Sequence, residues 1–98
     1  MSLPIVINPE AEADLAEAKS WYNRQVPGLG DDLISRVEAV FRSLQRSPKM
    51  CVRVFEETRL SLMPRFPYAI VYRIDDTQIT ILAVYHTSRD PRGWQQRK

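Results

Sequence analysis

Residues 25–47 read Gln-Val-Pro-Gly-Leu-Gly-Asp-Asp-Leu-Ile-Ser-Arg-Val-Glu-Ala-Val-Phe-Arg-Ser-Leu-Gln-Arg-Ser, and the architecture turns on how they are parsed. Leu33, Val37, Val40, Phe41 and Leu44 recur at i, i+4, i+7, i+8 and i+11, the apolar stripe of an amphipathic helix. The spacing predicts a helix that begins at Asp31 or Asp32 and stops at Ser47-Pro48. Asp32–Arg36 and Glu38–Arg42 make i,i+4 pairs on its wet side. Upstream, Pro27-Gly28-Leu29-Gly30 ends an earlier helix that Asn8 can cap and that Pro9 suits as first residue. Glu10 and Glu12 sit at its electropositive end, and Ala11, Leu15, Ala18 and Tyr22 give it an apolar side, with Trp21 beside them. Two helices across a short turn make a helical hairpin.

On either side of the hairpin the pattern is β-like. Leu3–Ile7 reads as a strand ended by Asn8-Pro9, and Met50–Glu56 and Thr58–Leu62 as two further candidates. Tyr68–Ile74 and Gln78–Tyr85 are the strongest strands, joined through Asp75-Asp76-Thr77. A three-residue connection sets Ile74 opposite Gln78, Tyr72 opposite Thr80, Ile70 opposite Leu82, Tyr68 opposite Val84 and Phe66 opposite His86. Ala69, Val71, Ile79, Ile81 and Ala83 then form the face expected to pack on the helices, and a one-residue slip reverses the assignment. The expected fold class is α+β: an N-terminal strand, a helical hairpin, then an antiparallel sheet packed on the helices, one domain over residues 1–98.

Composition narrows the function classes. Ninety-eight residues, 44% hydrophobic and 27% charged, suit one globular domain rather than a disordered chain. No apolar run approaches the ~18–20 residues that cross a bilayer, and no charged-then-apolar leader opens the sequence. Cys51 has no partner for a disulfide, and with His86 as the sole histidine there is no four-ligand zinc set. A cytoplasmic protein without metal, cofactor or membrane contact is expected. The net charge is +2, and eleven of the fourteen cations are arginine, the side chain that binds phosphate or carboxylate with a planar fork. A basic tail, Arg92, Arg97 and Lys98, reads as solvated.

Three groups of residues carry a family resemblance. They are Trp21-Tyr22 with Pro27-Gly28-Leu29-Gly30, then Arg59 and Arg65-Phe66-Pro67-Tyr68-Ala69-Ile70-Val71-Tyr72, then Ala83-Val84-Tyr85-His86, Arg89-Asp90-Pro91 and Trp94. In this order and spacing the chain resembles the RelE/ParE toxin superfamily, closer to the ParE-like branch. The resemblance implies a bacterial toxin of a type II toxin–antitoxin module, which arrests growth and is neutralised by a cognate antitoxin. It also implies one of two attacks: ParE-like contact with DNA gyrase, or RelE-like, metal-independent cleavage of messenger RNA on the ribosome. An inactive relic or plain interaction module is the third reading. Fold alone does not choose among them.

Metal-free RNA cleavage needs a base, an acid and cations for the phosphorane. His86 is the only imidazole, so a two-histidine mechanism is excluded. Tyr85, Glu56 or Glu57 could supply a second proton-transfer group, and Arg65, Arg73 and Arg89 a phosphate clamp. The catalytic candidates of the nuclease reading are thus His86, Arg65, Arg89 and Tyr85. In the nuclease branch the resemblance implies an arginine where this chain has Ala69, which favours the contact reading. For that reading the expected target- or antitoxin-binding residues are Trp21, Tyr22, Leu29 and Leu33, near the exposed end of the hairpin, together with Arg89. Arg59 reads equally as an anchor of the sheet or as a contact to the target.

Overall fold

In a computed structural model of the chain, which describes residues 2–97, the helical hairpin turns on Gly28. Its φ of 90° lies in the left-handed region that a Cβ disfavours. The turn is tighter than the sequence suggests, so α2 (Leu29–Arg46) opens two residues early against α1 (Pro9–Gln25). Gly30 permits this. A Cβ there would stand 2.1 Å from the Lys19 carbonyl oxygen, and the Gly30 N–H donates to Asn23 Oδ1 at 2.7 Å.

The remaining elements are β1 (Ile5–Ile7), β2 (Arg53–Phe55), β3 (Thr58–Leu62), β4 (Tyr68–Ile74), β5 (Ile79–His86) and the single-turn α3 (Arg92–Gln95). They form one five-stranded sheet in the order β1-β5-β4-β3-β2. The α+β class and the antiparallel run of β2 to β5 match expectation. β1 adds a parallel neighbour at the β5 edge, Ile5 beside Ile79 and Ile7 beside Ile81, so the sheet is mixed.

The β4–β5 register differs from the sequence reading, for two physical reasons. The Asp75 carboxylate accepts the Thr77 and Gln78 N–H groups at 2.8 and 3.0 Å and the Thr77 hydroxyl at 2.8 Å. This side-chain-closed turn holds the Asp75 carboxyl below its usual range and excludes Gln78 from the ladder, so Ile74 faces Ile79. Further along, Val71 faces Ala83 while Tyr72 faces Ile81, which leaves Leu82 as the extra residue of a bulge. Tyr68 therefore faces His86, and Ile70 faces Val84.

These shifts exchange half of the expected faces. Ile79 and Ile81 pack on the helices as anticipated, joined by Ile70, Tyr72 and Val84, against Leu33, Val37 and Leu44. Val71 and Ala83 lie instead on the outer face, where Leu82 was expected, under Trp94 of α3. The division follows size: the layer beneath two helices takes bulky side chains, whereas the outer layer has only one short helix above it. Val40 and Phe41 are half-buried at the rim of the inner layer.

β2 is shorter than the Met50–Glu56 segment that the sequence suggests, because the chain before it is latched as a loop. Arg59 donates to the Cys51 carbonyl at 2.5 Å and the Tyr72 hydroxyl to the Pro48 carbonyl at 2.9 Å. Burial first, then the neighbouring Cys51, pushes the Tyr72 phenol well above the usual tyrosine value. Arg59 is thus an anchor of the fold, bonded to backbone carbonyls rather than to a carboxylate.

Candidate functional site

One face of α1 and the end of β5 enclose a cleft of about 320 Å³. Asp14, Glu17, Ala18, Trp21 and Tyr22 line it at i, i+3, i+4, i+7 and i+8, the spacing that brings residues to one helix face. Across from them stand Val84 and His86 of β5, Tyr68 of β4, and the turn residues Ser88 and Arg89. The aromatic rings are linked edge to face. Tyr22 meets Trp21 at 4.9 Å, Phe66 at 5.2 Å and Tyr68 at 6.2 Å between centroids, and Tyr68 meets His86 at 5.4 Å. Trp21 ends this chain of rings and remains 48% exposed, a large apolar surface at the cleft mouth.

The floor is pinned by charge. The bulge turns the Val84 N–H and Leu82 carbonyl away from β4. Asp14 Oδ2 accepts the former at 3.0 Å, and Arg97 Nη1 donates to the latter at 3.0 Å. Arg97 and Asp14 also form an ion pair at 2.7 Å, both side chains being largely buried. The expectation of a solvated basic tail therefore fails at Arg97, which ties the C-terminal segment to α1. Arg92 meets it, 82% exposed in a surface pair with Asp90 at 2.6 Å; Lys98 lies outside the described residues.

His86 is set by its own turn. Its Nδ1 accepts the Ser88 N–H at 3.1 Å and lies 2.7 Å from the Ser88 hydroxyl, while the Arg89 N–H donates to the His86 carbonyl at 3.0 Å. With Nδ1 accepting a backbone proton, Nε2 is the ring nitrogen left to meet a partner. Arg89 emerges exposed on the rim. Burial raises the Tyr68 phenol above its ordinary value, helped by Tyr22, then by Glu17 and Asp14, and opposed by Arg89. Two phenols, two carboxylates and a guanidinium thus share one field. Among the described residues no three His, Cys, Asp or Glu side chains converge as a metal site would require.

Of the residues selected from sequence, Trp21, Tyr22, His86 and Arg89 meet in this cleft. Tyr85 does not: it points to the outer face and packs on Trp94, 5.8 Å between rings. Arg65 lies in the β3–β4 turn with a left-handed φ of 70°, exposed and outside the cleft lining. Glu56 and Glu57 sit at the other end of the sheet. Thr58 is level with Arg73 and Thr80, six residues or roughly 20 Å along β5 from His86. Leu29 is half-buried against the core and Leu33 is 0% exposed, so Leu33 is packing rather than surface. Asp14, Glu17 and Ser88 were not singled out from sequence. The helical spacing of Asp14, Glu17, Trp21 and Tyr22 is the signal that could have found the first two.

The chain matches the family model described as "ParE toxin of type II toxin-antitoxin system, parDE" over residues 5–91. Its curated relatives include Toxin ParE2 of Mycobacterium tuberculosis, from strain CDC 1551 / Oshkosh and from strain ATCC 25618 / H37Rv. Each is 32% identical over 94 residues, covering 95% of this chain and 90% of the relative. Among solved structures, the chromosomal ParDE toxin–antitoxin system from P. aeruginosa contains a chain of the same fold. The TM-score is 0.77 at 17% identity, covering 87% of this chain and 96% of the other.

Proposed function

The chain belongs to the ParE toxin family of type II toxin–antitoxin systems, and from that premise we propose that it arrests growth by contact with DNA gyrase in the cytoplasm and is neutralised by a cognate antitoxin. The observation that carries the contact reading is the separation of the nuclease candidates. Tyr85 and His86 are adjacent in β5 and so point to opposite faces, Arg65 lies outside the cleft, and Ala69 is fully buried where the nuclease branch calls for an arginine. Of the four candidates only His86 and Arg89 share the cleft, so the set chosen as base, acid and phosphate clamp does not meet at one point as general acid–base cleavage demands.

What does converge suits a protein partner. Trp21 and Tyr22 present rigid aromatic surface, and Arg89 a planar cation, the residue types that dominate interface energetics. The antitoxin has the same use for this surface. Its segment would lie along the cleft and the exposed hairpin end, covering Trp21 and Val26, which are 48% and 54% exposed. No helix of the described residues is long and apolar enough to cross a membrane, which agrees with a cytoplasmic target.

Brief induction in a bacterium, with gyrase supercoiling and transcript cleavage assayed in parallel, tests the reading. Loss of supercoiling with intact transcripts supports it. Cleaved transcripts with normal supercoiling would replace gyrase by the ribosome, and unimpaired growth at confirmed expression would make the chain a relic.

A further inference from the structure

Two consecutive carbonyls leave β5 on the side away from β4. The Ile81 carbonyl accepts the Asn8 N–H at 3.0 Å, and the Leu82 carbonyl accepts a proton of Arg97 Nη1 at 3.0 Å. A regular strand sends successive carbonyls to opposite sides, so the second points this way only because of the bulge. Arg97 is its partner, and Asp14 accepts the Val84 N–H that turns out with it, at 3.0 Å. The two side chains hold each other at 2.7 Å, Arg97 23% and Asp14 21% exposed. The bulge is thus closed by one donor and one acceptor, brought from the C-terminal segment and from α1.

The residues that follow give the strand little reason of its own to take this register. Unbulged, the ladder that sets Tyr72 opposite Ile81 would continue with Ile70 opposite Ala83 and Tyr68 opposite Tyr85. Ala83 and Tyr85 would then face the helices, and Val84 and His86 the outer side, because a one-residue slip exchanges the faces of a strand. Each of these pairs is one small aliphatic side chain and one ring. Ala83 and Val84 are 0% and 2% exposed, and Tyr85 and His86 are both half-buried. Burial therefore discriminates weakly between the two registers, and the partners of the turned-out backbone groups decide.

We infer that Arg97, acting through Asp14 and the bulge, is the positioning residue that turns His86 rather than Tyr85 toward the cleft. Bulges re-aim side chains in this way beside functional sites. A slip would also displace the turn that follows, where the Thr87 N–H donates to the Pro67 carbonyl and Ser88 and Arg89 close on His86. The C-terminal segment therefore sets which ring and which cation a partner meets. That consequence rests on the cleft being the contact site proposed above, whereas the register lock itself does not.

Arg97→Met keeps the aliphatic stem and removes the guanidinium. NMR of the whole chain, freed from antitoxin, reads the register through ring contacts: in the wild type His86 meets Tyr68 at 5.4 Å and Tyr85 meets Trp94 at 5.8 Å. In Arg97→Met the His86–Tyr68 cross-peak should be lost and a Tyr85–Tyr68 cross-peak should appear. The Val84 amide should exchange roughly tenfold faster. Deleting Leu82 in that background removes the extra residue, so a regular ladder brings His86 back opposite Tyr68 without Arg97. An ion pair that served stability alone could not be rescued by shortening the strand. Antitoxin affinity should fall in Arg97→Met and return with the deletion. An Arg97→Met variant that keeps His86 on Tyr68 and its Val84 amide protected overturns the proposal, as does one that unfolds and stays unfolded after the deletion. A slipped strand that binds antitoxin at wild-type strength supports the lock and overturns instead the role of the cleft in contact.

Discussion

Beneath the helical hairpin the side chains that meet are aliphatic and withdrawn from water: Leu33, Leu44, Ile79 and Ile81 are each 0% exposed. At the cleft between α1 and β5 they are aromatic or charged and open, with Trp21 48% exposed and Arg89 on the rim. Both regions use α1 and the helix-facing side of β5 and share Ala18 and Val84, but the cleft lies at the open end of that layer. The first gains its free energy by burial on folding. The second keeps apolar and charged surface in reserve, which a partner can bury later. A small domain can separate stability from function in this way, by giving each its own end of one packed layer.

The largest effect should come from the buried layer. Leu33→Ala should cost about 3–5 kcal/mol, a large share of the ~5–15 kcal/mol that holds a domain together. Thermal or urea unfolding measures it, and a loss under about 1 kcal/mol would mean the hairpin is not seated on the sheet. Phe41→Ala is the graded control. Full burial of this ring would imply about 3–5 kcal/mol, but Phe41 is half-buried, so about 2 kcal/mol is expected.

Gly30→Ala sharpens the same comparison from the backbone side. Its methyl would collide with the Lys19 carbonyl, and overpacking of this kind costs about 1–3 kcal/mol. Asp14→Ala probes the seam between the two regions. It strands the Val84 N–H and releases Arg97, for about 1–3 kcal/mol, and amide exchange at Val84 should accelerate more than at Ile79. Equal acceleration at both would mean that the carboxylate stabilises the whole domain and not the bulge.

Replacing Trp21 or Arg89 by Ala should alter stability least, by under about 1 kcal/mol, while weakening growth arrest or antitoxin binding. A Trp21→Ala variant that unfolds instead would show that the cleft belongs to the core, and the distinction between the regions would collapse.

The helical hairpin was legible in the sequence because an amphipathic helix repeats its signal: five apolar residues from Leu33 to Leu44 state one period. The register of β4 on β5 was not, because two single residues control it. Asp75 closes its turn with a side chain, and Leu82 adds a bulge that no alternation announces. Those two events moved Val71 and Ala83 to the outer face and set His86 opposite Tyr68 instead of Phe66. The cleft was half legible. Trp21, Tyr22, His86 and Arg89 stood out by residue type, whereas the Asp14–Arg97 pair joins positions 83 apart and leaves no local trace.

The central claim is that toxicity acts through contact and not through proton transfer, and His86→Gln tests it most directly. Glutamine keeps the size and hydrogen bonding of His86 but cannot exchange a proton near neutral pH. A general acid–base residue contributes about 10²–10⁴-fold in rate, so its loss would abolish growth arrest at modest expression; most contact positions lose under about 1 kcal/mol. The measurement is the growth curve after induction, with antitoxin binding as the control for folding. Growth arrest by His86→Gln matching the wild type is the predicted result. A harmless His86→Gln that still binds antitoxin normally would contradict it and return the nuclease reading.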